Sequence, residues 1–199
     1  VFGQTVSIPS PRAALDHGIG MIHQHFMLVD TLSVVENIIL GLPGQGMRLS
    51  LDEHSSKIDA LSRRYGFDVN LHAPVWTLPM GMRQRVEILK ALYREARIII
   101  FDEPTSILAP QEVDGLLRGL RRLREEGKTV VLITHKLEEV AAVADRITVM
   151  RSGRVVAEQD VAGLEKSDMA RMIVGRDVAL SSYDVERPDP GPVVLEARG

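Results

Sequence analysis

Two adjacent carboxylates, Asp102 and Glu103, follow an apolar run of four residues in the segment RIIIFDEPTS. Successive side chains of a strand point to opposite faces, so the two acids cannot do the same job. One suits a hard cation such as Mg²⁺, which takes oxygen ligands and keeps several waters, and the other suits orienting or deprotonating a water molecule. Taken alone, such a pair is more often a solvated loop or a helix N-cap. The surrounding sequence has to decide between these interpretations.

Polar residues also follow two other apolar, strand-like segments. Gln24 comes after IGMI in IGMIHQHFMLV, and His135 ends TVVLITH. The continuous apolar runs RIIIF and TVVLI are typical of parallel strands, and we expect both strands to be buried on both faces. Strands alternate with helical segments along the chain, which favours an α/β layered fold. Ligands in such folds bind at the carboxyl ends of the strands, where these four polar residues would lie.

Helical spacing and turn residues predict the remaining elements. Ser10 is a candidate N-cap with Pro11 at the first helical position, Pro110 opens a helix that Gly127 ends, and Ser152-Gly153 turns a hairpin. Residues 1–10 are expected to form a short strand or an extended piece. The predicted helices are SPRAALDHG, LSVVENIILG, 51–65, 82–94, 111–126, KLEEVAAVA and LEKSDMARMIVG.

The composition is that of a globular domain, with 45% hydrophobic and 26% charged residues and no apolar run of membrane-spanning length. The net charge is −3 and the basic residues are scattered among acids, which argues against a nucleic-acid-binding face. The absence of cysteine excludes disulfides and thiolate metal sites. His17, His23 and His25 have no acids or cysteines that would complete a ligand set, so packing is the preferred interpretation for them.

The segment TLPMGMRQRVEILKALYREARIIIFDEPTSILAPQE, with TVVLITHKLEEV after it, resembles the ATP-binding cassette (ABC) ATPases in the order and spacing of its motifs. HQHF is similar to the Q-loop of that family, and IIIFDE is similar to its Walker B strand. The resemblance covers roughly residues 1–175. It implies that Asp102 is the Mg²⁺-side acid, Glu103 the catalytic carboxylate, Gln24 a contact to Mg²⁺ and the attacking water, and His135 a contact to the γ-phosphate.

The fold that the resemblance implies is a partial ABC-type P-loop ATPase domain. Such a domain is α/β, with a mostly parallel core sheet and a helical subdomain, here at about residues 42–95. No phosphate-binding loop of the form G-x-x-x-x-G-K-[ST] occurs in the sequence. In the family this loop precedes the motifs seen here, so we expect a chain truncated before it that does not bind ATP tightly alone. A nanomolar or low-micromolar Kd for ATP would contradict that expectation.

The segment LPMGM stands where the family usually has the signature LSGGQ. Its residues, which the resemblance places against nucleotide, are Leu78, Pro79, Met80, Gly81 and Met82. Proline in place of serine removes a hydroxyl and an N–H that could reach phosphate, whereas Gly81 keeps close backbone approach open. Methionines replace a glycine and the glutamine, and Ala109 stands where the D-loop usually has aspartate. Our hypothesis is that this signature completes the weaker of two unequal composite sites.

The segments GIGMIHQHFMLVDTLSVVENIILG and LPMGMRQRVEILKALYR resemble the first cassette of tandem importer ATPases for sugars and nucleosides. The resemblance therefore implies ATP and Mg²⁺ as cofactors, and a location at the cytoplasmic face of the cell membrane. The expected partners are membrane permease subunits, a second ABC domain in the same chain and, indirectly, a solute-binding protein, with no nucleic acid. Residues 176–192 have a linker composition, and 193–199 are expected to begin the second domain. The alternatives are an ABC-type ATPase acting on nucleic acid or the ribosome, or an inactive fragment.

Overall fold

The computed structural model describes residues 1–42 and 50–174. The chain divides into two compact units, Val1–Asp145 and Arg146–Gly199, which are taken in turn below. The predicted linker at 176–192, the predicted strand at 193–199 and most of the predicted loop GLPGQG lie outside the described residues.

The first unit alternates helices with three short strands. Its elements, in chain order, are α1 (Pro11–Asp16), β1 (Ile19–Ile22), α2 (Val34–Ile39), α3 (Leu51–Tyr65), a 3₁₀ turn (Val75–Thr77), α4 (Met80–Tyr93), β2 (Ile98–Asp102), α5 (Pro110–Glu125), β3 (Thr129–Ile133) and α6 (Leu137–Val143). Residues 1–10 form turns and irregular backbone, so the short strand considered for them is not formed.

The three strands form one parallel sheet in the order β1-β2-β3. Met21 lies opposite Ile100, and Ile100 lies opposite Val131. Asp102, the last residue of β2, is paired with Ile133, the last residue of β3. Because parallel strands end at the same edge of a sheet, the residues after Ile22, Asp102 and Ile133 emerge side by side. The expected α/β fold with a parallel sheet is confirmed.

The hydrophobic core lies between one face of this sheet and the helices. Ile99 and Phe101 of β2 are fully buried in it with residues of α4 and α5, such as Leu89 and Leu120. Helices α2, α3 and α4 also pack against one another, around the buried side chain of Ile58. The sheet and the helices are therefore joined by one continuous core.

The expectation that β2 and β3 are buried on both faces is wrong for the described chain. Ile98 and Ile100 are only partly buried, and Val131 and Ile133 are 43% and 47% exposed. Helix α4 contacts β1 and α5 contacts β3, and the core they form takes up the side chains of one face alone. β-Branched residues suit covered and uncovered strand faces equally, so their presence could not indicate which faces were covered.

The second unit contains the hairpin of β4 (Arg146–Arg151) and β5 (Arg154–Asp160), followed by α7 (Lys166–Val174). Ser152 and Gly153 have φ of 50° and 74°. Positive φ at both central residues defines a type I′ turn, the connection whose twist matches that of two antiparallel strands. The hairpin predicted at Ser152-Gly153 is confirmed, and α7 packs against β4.

Candidate functional site

The chain turns sharply where β2 ends. Asp102 closes the strand, and Glu103 adopts φ of 44°, in the left-handed region that residues other than glycine rarely occupy. The Glu103 N–H donates a 2.9 Å hydrogen bond to the carbonyl of Ile133, which anchors the turn to the neighbouring strand. The two carboxylates therefore leave the sheet edge in different directions and can serve different roles.

Glu103 and His135 are brought together at this edge. The Nδ1 atom of His135 lies 3.2 Å from Oε1 of Glu103. An ionised carboxylate only accepts hydrogen bonds, so Nδ1 is the donor and Nε2 is left for another partner. The side chain of His135 is 70% exposed and that of Glu103 is 34% exposed, so a ligand in solution can reach both.

The Asp102 carboxylate makes no hydrogen bond or ion pair within residues 1–42 and 50–174, and it is only partly buried. Free oxygens at a strand end suit Mg²⁺, which is commonly held by one or two carboxylates and keeps its remaining waters. No group of three or more His, Cys, Asp or Glu side chains with metal-binding geometry occurs in the described part of the chain. Asp102 therefore fits a sparsely coordinated Mg²⁺ and not a complete protein-made metal cage.

Gln24 lies two residues beyond β1 and is exposed. It lines an open cavity of about 260 Å³ together with Met80, Arg83 and Ile107. No hydrogen bond joins Gln24 to Asp102, Glu103 or His135 in the part of the chain that the structure describes. The structure thus brings Gln24 beside the start of α4. Gln24 lies at the same sheet edge as Asp102 and Glu103 but forms no hydrogen bond with either among the described residues.

The segment predicted as the signature forms the entry to α4. Pro79 is the N-cap residue, and Met80 begins the helix two residues earlier than the sequence predicted. Leu78 and Met82 are partly buried and pack against the core, whereas Met80 is 49% exposed. A Cβ at Gly81 would lie 2.2 Å from Oε1 of Glu112, a residue of α5, so that side chain occupies the space that glycine leaves open. No hydrogen bond or ion pair joins these five residues to Glu103 or His135 among the described residues.

Helix α4 also contacts the segments that carry the acids and Gln24. Gln84, which is 3% exposed, donates a 2.7 Å hydrogen bond from Nε2 to the carbonyl of Pro104, the residue after Glu103. Lys90 donates to the carbonyl of Met27 at 3.1 Å, and burial lowers the pKa of Lys90. These contacts could not be predicted from the sequence, because they join residues that are far apart along the chain.

A buried carboxylate that the sequence did not single out lies near the pair of Glu103 and His135. Glu139, in α6, is 2% exposed and accepts hydrogen bonds from the hydroxyls of Thr105 and Thr134. Lys136 Nζ lies 3.6 Å from the same carboxylate. The segment KLEEV contains two adjacent acids, and its letters alone do not indicate which of them is buried.

The parallel sheet, with an acid pair and a histidine at its carboxyl edge, places the chain among α/β domains that bind ligands at that edge. Residues 2–106 match the ABC transporter family, and the chain belongs to this family. No helix within 1–42 and 50–174 has both the length and the apolar character to cross a membrane.

The chain is similar to import ATP-binding proteins in particular. It is 46% identical over 199 residues to a nucleoside import ATP-binding protein of Lactococcus lactis subsp. cremoris, covering 100% of this chain and 39% of that protein. It is 43% identical over 226 residues to a glucose import ATP-binding protein of Haloferax volcanii, covering 98% and 41%. The chain thus spans about two-fifths of the length of these relatives.

Among solved structures, the chain is similar to cbiO1 of Clostridium perfringens, part of the ABC transporter complex cbiONQ. The TM-score is 0.64 and the sequence identity 27%, over 88% of this chain and 69% of that one. This likeness confirms the predicted ABC ATPase fold independently of the sequence relatives.

Proposed function

We propose that this chain is part of the ATP-hydrolysing subunit of a membrane importer for sugars or nucleosides. The relatives named as import ATP-binding proteins support the class, and the substrates in their names, nucleosides and glucose, support the choice of cargo. The observation that carries the hydrolytic role is the contact between Glu103 and His135 at the sheet edge, beside an Asp102 carboxylate that has no partner among the described residues.

Each residue at this edge has a role that its chemistry allows. The Glu103 carboxylate accepts a hydrogen bond from the attacking water and polarises it. With a second proton on Nε2, the imidazolium of His135 would donate from Nδ1 to Glu103 and from Nε2 to the γ-phosphate as negative charge develops there. Asp102 and Gln24 would hold Mg²⁺, which neutralises charge on the phosphate oxygens. The side chains of Glu103 and His135 are 34% and 70% exposed to solvent. This exposure is consistent with a site that is completed when nucleotide and a partner domain close over it.

The signature segment is proposed to act on a second cassette. The N–H groups in the first turn of a helix have no partner within the helix, so the start of α4 at Met80 and Gly81 can face phosphate once the Glu112 side chain leaves the space beside Gly81. Pro79 lacks one such N–H, which supports a weaker site on this side. Replacing the catalytic carboxylate of each cassette in turn should reduce the ATPase rate unequally, and equal losses would argue against two unequal sites.

A membrane permease is the proposed partner, at the cytoplasmic face of the membrane. Met27 is 65% exposed and Trp76 is 64% exposed. The Trp76 N–H donates to the carbonyl of Asp30, so the two apolar side chains lie on connected segments. Exposed apolar groups of this size suit a protein interface. Membrane subunits should copurify with the full-length protein, and copurification of nucleic acid or ribosomes in their place would contradict the proposal.

The hydrolytic role is tested by Glu103→Gln in the full-length protein, with Glu125→Gln at the exposed end of α5 as the matched control. The first variant should retain ATP binding and lose turnover by about 100-fold or more, because a general base contributes rate on that scale. The control should keep the wild-type rate, since Glu125 is exposed and remote from the proposed chemistry. Full turnover in Glu103→Gln would remove this residue from the catalytic role.

A further inference from the structure

The buried carboxylate of Glu139 has no role in the chemistry described so far. Removing a carboxylate from water is costly unless hydrogen bonds and an opposite charge compensate it. Glu139 has this compensation: it accepts from Thr134 Oγ1 at 2.9 Å and from Thr105 Oγ1, and Lys136 Nζ lies 3.6 Å away. A group that is both expensive to bury and fully partnered holds its neighbours in one arrangement.

The partners of Glu139 flank both residues of the hydrolytic pair. Thr134 and Lys136 are the residues immediately before and after His135, and Thr105 is two residues beyond Glu103. The Lys136 N–H also donates to Thr134 Oγ1 at 3.1 Å, which closes a tight turn around the histidine. Lys136 Nζ donates to the carbonyl of Thr105 at 3.1 Å and to its hydroxyl at 3.0 Å. The segment that carries Glu103 and the segment that carries His135 are thus joined by hydrogen bonds and an ion pair around the buried Glu139 carboxylate.

The pair needs such a restraint because neither member is fixed by its own packing. His135 is 70% exposed, so few contacts define its side chain, and its position follows from the backbone on either side. Glu103 occupies a left-handed backbone conformation, which persists only where the surrounding structure enforces it. The hydrogen bond from Glu103 N–H to Ile133 restrains one side of this turn, and Thr105 restrains the other.

We propose that Glu139 is a positioning residue that sets the 3.2 Å contact between Glu103 and His135. Glu139 acts through its contact with Thr105 on the Glu103 segment, and through its contacts with Thr134 and Lys136 on the His135 segment. Glu139 touches neither nucleotide nor water in this role. The inference rests on the proposed hydrolytic function for its effect on rate, but its effect on the position of His135 does not depend on that function.

The experiment compares Glu139→Gln with Glu138→Gln, its exposed neighbour on α6, in the full-length protein. Glu139→Gln keeps the shape but replaces half of the accepting carboxylate with a donor and removes the charge that faces Lys136. We expect kcat to fall about 10- to 100-fold with KM for ATP within about twofold, as small misplacements of catalytic groups do. The control should retain wild-type values. A fall in kcat that only matches the loss of folded protein would overturn the proposal.

A second pair of variants covers the case in which Glu139→Gln does not fold. Thr105→Val removes the hydroxyl that joins the Glu103 segment to Glu139, and Thr105→Ser retains it. Valine should lower kcat several-fold more than serine does, and equal effects of the two would contradict the proposed link.

The tautomer of His135 gives a readout that is independent of turnover. The ¹³Cδ2 shift of its imidazole ring, measured by NMR without nucleotide, should change in Glu139→Gln and in Thr105→Val as the Glu103 contact loosens. An unchanged shift in both variants would refute positioning by Glu139. If Glu103→Gln retained turnover while this shift still moved, the hydrolytic proposal would fail and the positioning inference would stand.

Discussion

The carboxylate of Glu87 accepts a 2.6 Å hydrogen bond from the N–H of Met27, a residue 60 positions away in the sequence. Lys90, one turn further along α4, binds the carbonyl of the same residue at 3.1 Å. Both polar backbone groups of Met27 are therefore held by the helix that begins at the predicted signature segment. These two hydrogen bonds connect the segment after Gln24 to helix α4.

Replacing Glu87 tests that connection. Glu87 is 6% exposed, so Glu87→Ala leaves the Met27 N–H without its acceptor, and we expect the free energy of unfolding to fall by about 1–3 kcal/mol. Hydrogen exchange at the Met27 amide should accelerate more than at amides in β2. Glu87→Gln, which keeps an acceptor oxygen, should lie between alanine and wild type. Unaltered exchange at Met27 in the alanine variant would show that this hydrogen bond does not hold the segment.

Asn37 should be among the most sensitive polar positions. Its side chain is fully buried, accepts from the N–H of Val29 at 2.7 Å and donates to the carbonyls of Val29, Leu32 and Ser33. Asn37→Ala leaves the Val29 N–H without its acceptor and removes the side-chain donor from three carbonyls that each keep a backbone donor, so we expect a loss of about 2–3 kcal/mol in urea denaturation. Asn70→Ala serves as the control, because Asn70 is exposed. A loss below 0.5 kcal/mol at Asn37, about the size of an ordinary surface change, would contradict the expectation.

Two glycines should respond to alanine in opposite directions. A Cβ at Gly20 in β1 would lie 3.2 Å from Cβ of Ala96 and 3.3 Å from Cβ of Ala91, so Gly20→Ala should overpack the core and cost about 1–3 kcal/mol. A Cβ at Gly115 in α5 meets only guanidinium nitrogens at 3.8 Å or more. Gly115→Ala should therefore stabilise the protein by about 0.5–1 kcal/mol. Thermal denaturation of both variants measures the contrast, and a shift of the same sign would count against the packing described.

The contact between Tyr65 and Glu126 predicts a pH dependence of stability. The Tyr65 hydroxyl donates to Glu126 and is the main cause that holds the pKa of Glu126 below its usual value. A carboxyl with a depressed pKa in the folded state stabilises the fold at pH values above its unfolded pKa of about 4.3, and this contribution is lost as pH falls through the folded pKa.

Burial, with a further contribution from Glu126, raises the pKa of Tyr65 to about 12. Stability should therefore also fall between about pH 10 and pH 12, as the unfolded tyrosine ionises first.

Tyr65→Phe removes both effects in one variant. The pKa of Glu126, followed by NMR titration, should rise towards its usual value, and the alkaline loss of stability should shrink. Tyr93→Phe is a suitable control for the Glu126 titration, since the Tyr93 hydroxyl forms a hydrogen bond with His54 and not with Glu126; burial raises the pKa of Tyr93 as well, so this variant does not serve as the control for the alkaline profile. The same alkaline profile in Tyr65→Phe as in wild type would exclude Tyr65 as its origin.

Features decided by neighbouring residues could be predicted from the sequence. Ser10 caps α1 by accepting from the Ala13 N–H at 3.2 Å, and Gly127 follows α5 with φ of 79°, as the local pattern indicated. Asp102 at the end of β2, Glu103 directly after it and His135 after β3 reach one edge because parallel strands of similar length end together. Local chemistry and strand direction were sufficient for these.

Features that depend on tertiary packing could not be predicted. Glu138 and Glu139 are adjacent residues of the same type, so the sequence does not indicate which of them is buried. The orientation of α6 decides that it is Glu139. The exposure of Val131 and Ile133 depends on which face the helices cover, and their β-branched side chains fit either outcome. The proximity of Gln24 to Met80 follows from how α4 packs, since no local pattern links them.

The left-handed backbone at Glu103 sets folding and turnover against each other. Such a conformation costs about 1–2 kcal/mol for a residue with a Cβ and almost nothing for glycine. A library selected only for heat resistance should therefore enrich glycine at this position and lose the acid with it, whereas, under the hydrolytic role proposed for Glu103, a library of the full-length protein selected for ATP turnover should never return that change. A stabilised version of this protein is best sought elsewhere in the chain.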